Sequence, residues 1–226
     1  MKRAEKLVLA YSPIWIGVVG AAILSGRVGQ WGEGPLEALG IGLAIPVWAL
    51  GLAGPGAARF SLLVTLFAFV QNWFGTWLFF DLFGMQYHFH ATRVWNGTPA
   101  FLYFLTVPYF ATYYVVLRLG WRAVRTRWPS PAARWISRAG LSYAIAFAET
   151  AGMATERTRA YFSYSDPAWV MKWGSIAYGI VFFVSLPLFY DLDEKQPIRA
   201  LVRDALACNM LALCGYVAYY ELVKAL

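Results

Sequence analysis

One carboxylate stands inside an otherwise apolar run. Glu149 lies in Tyr143-Ala144-Ile145-Ala146-Phe147-Ala148-Glu149-Thr150, among small neighbours that let another helix or a ligand come close. An ionisable side chain in such a run is costly and by default marks function, here as a group that gives or takes a proton away from water. A competing reading lets Glu149 snorkel to an interface or pair with Arg157 or Arg159, about two turns further on.

Other polar groups are fewer and weaker as signals. Asn72 falls mid-run in Val70-Gln71-Asn72-Trp73, where an amide is either interhelical glue or a hydrogen-bonding group for a ligand. Asp81 ends the same run and reads equally as a site residue or as a solvated carboxylate. The segment His88-Phe89-His90 puts two imidazoles on one side of an extended chain, the usual start of a metal site. There are only 2 histidines in the chain, and no thiolate cluster joins them, so the expectation is no metal and a pair of interfacial histidines. Aromatic residues make up 18% of the chain. Trp73, Tyr103 and Phe183 fall within apolar runs, where they either face lipid or wall a pocket for a flat apolar ligand.

The elements that position these groups follow from apolar length. The 226 residues are 60% hydrophobic and 14% charged, against roughly 25% charged in soluble domains. A bilayer core of ~30 Å takes about 20 apolar residues per helix. Windows of that kind run over Leu7–Leu24, Leu36–Leu52, Phe60–Phe80, Ala100–Leu117, Trp135–Met153, Trp173–Tyr190 and Ala205–Leu222. Connections between them are short, so residues 1–226 are expected to form a single all-α domain, a polytopic transmembrane bundle of about seven spans. The start, Lys2-Arg3-Ala4-Glu5-Lys6 before an apolar run, reads as a signal anchor and not as a cleaved leader.

Lys and Arg collect in cytoplasmic loops. With the amino terminus inside, most of the 19 basic residues fall on the cytoplasmic side, including the run from Arg118 to Arg138, and the opposite side keeps Arg27, Arg93, Arg157, Arg159, Lys172 and Lys224. The formal charge of +7 is then assigned to topology and anionic membrane lipids, not to nucleic acid. Cys208 and Cys214 are six residues apart on one helix, ~9 Å along its axis, beyond disulfide reach. This alternation places Glu149, Tyr87, Tyr161, Tyr164, Asp166 and Tyr178 toward the outer side, where a site is expected.

Taken in order, the residues resemble the cycloeucalenol cycloisomerases, sterol cyclopropyl isomerases known chiefly from plants, with this chain a bacterial-type or otherwise divergent relative. The match includes Tyr11-Ser12-Pro13; Asn72, Phe74, Thr76, Phe79-Phe80, Gly84 and Tyr87; Pro99 and Phe104-Leu105-Thr106; and Ala146-Phe147-Ala148-Glu149-Thr150. It continues through Tyr161, Asp166, Tyr178, Phe183-Val184-Ser185-Leu186-Pro187, Asp193-Glu194-Lys195 and Asp204-Ala205-Leu206. Each piece is short and mostly apolar, and the order and spacing of the whole carry the resemblance. Asp81 stands where the family usually has a basic residue, Trp77 where it has a histidine, and His88 and His90 have no counterpart, which demotes all three of Asp81, His88 and His90.

The resemblance implies opening of the 9β,19-cyclopropane ring of a cyclopropyl sterol, cycloeucalenol to obtusifoliol, in a multi-pass protein of a bacterial cytoplasmic membrane or the endoplasmic reticulum. No redox change occurs, so no cofactor is expected. The ring is protonated at C19, positive charge develops near C9, and loss of the C8 proton forms the double bond. A strained C–C bond is a poor base, and a carboxylic acid in a dry pocket suits it. Glu149 is the expected acid, with Asp166 or Tyr178 as a second proton-handling group. Asn72, Trp73, Thr76, Tyr87, Tyr103, Thr106, Tyr161 and Phe183 are expected around the sterol. Isomerisation of a sterol nuclear double bond uses the same logic, and a lipid-binding or transport protein is the alternative of a different class.

Overall fold

The computed structural model describes residues 2–128, 130–192 and 195–225. Asp193 and Glu194, which contribute to the resemblance, lie outside the described residues. The architecture is a helical bundle: α1 (Lys2–Leu24), α2 (Glu33–Ala49), α3 (Pro55–Val70), α4 (Thr76–Phe83), α5 (Ala100–Arg127), α6 (Pro131–Met153), the single turn α7 (Pro167–Trp169), α8 (Ser175–Tyr190) and α9 (Ile198–Val223). A π-helical turn, Gln71–Gly75, joins α3 to α4, and a second, Val170–Gly174, joins α7 to α8. Four two-residue strands, β1 (Gln86–Tyr87), β2 (Val94–Trp95), β3 (Thr98–Pro99) and β4 (Phe162–Ser163), pair as β1 with β4 and β2 with β3, both antiparallel.

Each expected window contains a long helix. Among the described residues six stretches are long and apolar enough to cross a membrane: Arg3–Leu24, Glu33–Ala53, Pro55–Phe83, Ala100–Arg127, Pro167–Tyr190 and Ile198–Val223. Helix α6 is not among them, because Arg134, Arg138 and Glu149 lower its apolarity. Counted by length and composition the spans are therefore six, one short of the expected seven. Yet α6 crosses the bundle in full and packs on α5 and α8. Where it begins, Arg138 donates to the carbonyl oxygens of Phe183 and Val184 at 2.5 and 3.2 Å. Pro187 lacks the N–H that would otherwise reach the Phe183 carbonyl, so an intrahelical acceptor is free for that guanidinium.

Hydrogen bonds at the two ends establish the alternation of helices. At one end the His88 N–H donates to the Tyr161 carbonyl at 2.7 Å, the Tyr161 hydroxyl to the Ile23 carbonyl at 3.1 Å, and Ser165 N–H to the Phe83 carbonyl at 3.2 Å. The Glu33 carboxylate there accepts from Thr92 N–H at 2.6 Å and Arg93 N–H at 2.7 Å. The segments that follow α1, α4 and α6 thus meet. At the other end Glu5 pairs with Arg118 at 3.0 Å and Arg122 at 2.9 Å, Arg125 with Asp191 at 3.5 Å, and Arg59 donates to the Gln196 carbonyl at 2.9 Å.

The pairing of Arg118 explains why α5 runs to Arg127, well past the expected end at Leu117. An apolarity window stops at the first arginine, whereas a paired arginine can sit inside the bundle. Between the two ends the core is aromatic, with Phe60, Phe67, Tyr114, Phe182 and Phe189 buried and the Tyr114 and Phe189 rings stacked at 3.5 Å. Small residues let backbones close in: a Cβ at Gly40 of α2 would stand 2.5 Å from the Phe101 carbonyl oxygen of α5.

Candidate functional site

The π turn is where a straight helix gives way to a site. A π turn closes on i→i+5 and bulges one residue out of the α ladder, which re-aims the residues that follow. Here the Thr76 N–H reaches back to the Gln71 carbonyl, and the Asn72 carbonyl oxygen instead gathers side-chain donors: Thr76 Oγ1 at 2.7 Å, Thr98 Oγ1 at 3.3 Å and the Tyr103 hydroxyl at 3.3 Å. Tyr103, 1% exposed, also donates to the Trp95 carbonyl at 2.9 Å. On the α9 side the Tyr216 hydroxyl donates to Gln71 Oε1 at 2.9 Å, and Gln71 Nε2 donates to Asn209 Oδ1 at 2.9 Å. Gly75 is required for this packing, since a Cβ there would fall 2.6 Å from Gln71 Oε1.

These anchors shape one wall of a cavity enclosing about 1180 Å³ of empty space, its mouth included. Val19 and Ile23 of α1, Leu39 of α2 and Leu102, Thr106 and Tyr109 of α5 line one side. Gln71, Asn72, Thr76 and Phe79 line another, with Tyr178 of α8 and Tyr216 of α9 beside them. The strand-bearing segments close the end with Tyr87, Phe89, Phe162 and Tyr164. The walls are thus largely apolar and aromatic, with few polar groups.

Glu149 projects from α6 into this space. Ser142, Ala146 and Thr150 form the buried face of α6, and Glu149 stands next to that face on the cavity side. The hydroxyls of Tyr113 and Tyr178 interact with its carboxyl from α5 and α8. Its Oε2 is shielded from solvent and has no hydrogen-bond partner. Glu149 appears in no ion pair, so the alternative pairing with Arg157 or Arg159 is absent among the described residues; Arg159 instead meets Glu156 at 3.6 Å.

Of the residues expected at a site, the structure brings Glu149, Tyr178, Asn72, Thr76, Tyr87 and Thr106 to the cavity. Asp166 is not there: it is exposed and caps α7, accepting from Trp169 N–H at 3.0 Å. Trp73, 43% exposed, faces outward, because the bulge turns it away from the wall that Asn72 occupies. Tyr103 and Tyr161 act behind the lining, Tyr103 clamping the π turn and Tyr161 tying its loop to α1. Phe183 belongs to the opposite end, under the Arg138 guanidinium at 4.4 Å. Asp81 is exposed and interacts with Tyr220. His88 and His90 are exposed, and His88 Nε2 is hydrogen-bonded to Ser163 Oγ at 2.8 Å. Among the described residues no group of three His, Cys, Asp or Glu side chains could hold a metal ion.

Residue-by-residue reading missed Tyr109, Tyr113, Gln71 and Tyr216. A signal existed for the first two, since Thr106, Tyr109 and Tyr113 recur at helical spacing on one face of α5. For Gln71 and Tyr216 only the rarity of polar atoms within apolar runs pointed the way.

No family model and no solved structure matches the chain. Among curated proteins it is 27% identical over 233 residues to a protein of Arabidopsis thaliana, the alignment spanning 92% of this chain and 81% of that one. That protein is a cycloeucalenol cycloisomerase. Asn72, Thr76, Phe79, Tyr87, Thr106, Glu149, Thr150 and Tyr178, all part of the resemblance seen in the sequence, line the cavity.

Proposed function

We propose that this chain is a distant cycloeucalenol cycloisomerase, a membrane isomerase that opens the cyclopropane ring of a sterol bound in the cavity, with Glu149 as its acid. The observation that carries the reading is a lone carboxyl, Glu149, among the residues that line a largely apolar and aromatic cavity. Its relative in Arabidopsis thaliana supplies the reaction class.

In this reading the protonated Glu149 carboxyl gives its proton to C19 as the C9–C19 bond breaks. The electron pair of that bond forms the new C19–H bond, and positive charge is left near C9. The C8–H bond then supplies its electrons to a C8=C9 double bond, and the C8 proton leaves to a base. Donation turns Glu149 into a carboxylate beside the cation, where a water-poor site makes charge pairing effective. The faces of Phe79, Tyr109 and Tyr178 add to that stabilisation. The carboxylate is also the nearest available base, so Glu149 recovers the C8 proton and the cycle closes without net change and without a redox cofactor. Tyr113 and Tyr178 orient the carboxyl in both states. Asp166 has no part in this scheme, given its place on the surface.

The bundle is read as an integral multi-pass protein with its amino terminus in the cytoplasm and the basic end of α5 and α6 at the inner headgroups. In the test, protein purified in detergent or nanodiscs is incubated with cycloeucalenol and the sterols are separated by gas chromatography. Obtusifoliol is expected; its absence from folded protein would sink the proposal. In heavy water, deuterium entering the C19 methyl group over repeated turnovers would mark ring protonation.

A further inference from the structure

Asn72 carries an acceptor that the protein leaves unused. It is 7% exposed and lines the cavity. Its Nδ2 donates to the Ala68 carbonyl at 2.8 Å. A carbonyl oxygen only accepts, so the amide nitrogen must face Ala68 and Oδ1 must point the other way. Among the described residues Oδ1 has no hydrogen-bond partner. It is also not sealed: among the described residues the shielded side-chain atoms without partners are Ser142 Oγ and Glu149 Oε2. In a residue so buried, an accessible oxygen opens onto the cavity that the residue lines.

The other polar groups on this wall already have partners within the protein. Gln71 accepts from Tyr216 and donates to Asn209. The Thr76 and Thr106 hydroxyls give their protons to the Asn72 and Leu102 carbonyls. Asn72 itself is held by three side chains on its main-chain oxygen, so its amide is presented from a fixed backbone. A buried acceptor without a donor is unfavourable, and a ligand that brings the donor is selected over one that does not.

We infer that Asn72 Oδ1 accepts a hydrogen bond from a hydroxyl of the bound ligand, which makes the preferred ligand a polycyclic alcohol and not the corresponding ketone or ether. The inference rests on the proposed function, in which that group is the sterol hydroxyl. A neutral amide oxygen suits a neutral donor such as a hydroxyl.

The test measures binding, not turnover. The whole chain in nanodiscs is titrated with cycloeucalenol, its 3-ketone and its 3-O-methyl ether, following tryptophan fluorescence. The alcohol is expected to bind about tenfold or more tighter than either analogue. Asn72→Leu is expected to weaken the alcohol by a similar factor and to bind all three alike, with thermal unfolding as the check on its fold. Should that variant not fold, the wild-type comparison alone decides. Equal wild-type affinity for alcohol and ketone overturns the inference, even if turnover proves the isomerase reading right. Discrimination without turnover leaves the inference standing and removes the isomerase. If none of the three sterols binds, both fall.

Discussion

The Tyr216 hydroxyl donates to Gln71 Oε1 at 2.9 Å, and this bond fastens α9 to the π turn that carries Asn72. Gln71 keeps its second anchor on Asn209, also at 2.9 Å. Tyr216→Phe removes one of the two and leaves Gln71 with a free acceptor beside the cavity. Interhelical hydrogen bonds of this kind contribute about 0.6–2 kcal/mol in membrane proteins. A loss of stability of about that size is expected by thermal unfolding in detergent, with turnover reduced less than that of any Glu149 variant.

Glu149→Gln keeps the size and much of the polarity of the side chain but has no acidic proton. Turnover is expected to drop by a factor of about 10² to 10⁴, the usual contribution of general acid–base catalysis. Sterol affinity should stay near wild type, since the apolar walls are untouched. Gas chromatography of products alongside a fluorescence titration reads both. A variant turning over at the wild-type rate would remove Glu149 from the chemistry.

Asp166 separates a capping role from a catalytic one. Asn caps helices as well as Asp does, and Ala costs about 1 kcal/mol at such a position. Both Asp166→Asn and Asp166→Ala are expected to keep turnover within about twofold, with only the Ala variant melting lower. A large rate loss in Asp166→Asn would return this residue to the mechanism.

Glu5 and Arg118 form an ion pair with both side chains 5% exposed. Removing Glu5 strands the buried Arg118 charge, a loss of about 3–5 kcal/mol, whereas Arg118→Met leaves Glu5 paired with Arg122 at 2.9 Å. Glu5→Leu is expected to lower thermal stability sharply and Arg118→Met less so, and the double variant is expected to recover much of the Glu5→Leu loss. Strict additivity of the two losses would show that the pair is not coupled.

Much of the bundle was legible because apolar length and a single mid-run carboxylate need no knowledge of packing. Glu149 was found that way, and the alternation of helix ends then grouped it with Tyr87 and Tyr178. Facing direction was not legible. Trp73 and Phe183 look like pocket walls in the sequence, yet a ring that meets lipid or an arginine has the same composition as one that meets a ligand. Tyr103 shows the same limit from inside, being a clamp one layer behind the lining. Asp166 was misplaced because a carboxylate next to proline is as fit to cap a turn as to move a proton. The seven-window count met its exception in α6, the helix whose polar residues, Glu149 among them, lower its apolarity.

The five-residue turn Gln71–Gly75 also bears on how this segment tolerates change in length. Deleting any one of its residues would barely alter composition or hydropathy and would allow an uninterrupted α-helix from Pro55 onward. Because the wide turn takes up one extra residue, the residues from Thr76 on would keep nearly the phase they have now. What would go is the break in the ladder that leaves the Asn72 carbonyl oxygen to Thr76, Thr98 and Tyr103. Loss of a single in-frame codon here is therefore a local lesion of one cavity wall, invisible to any measure of span quality.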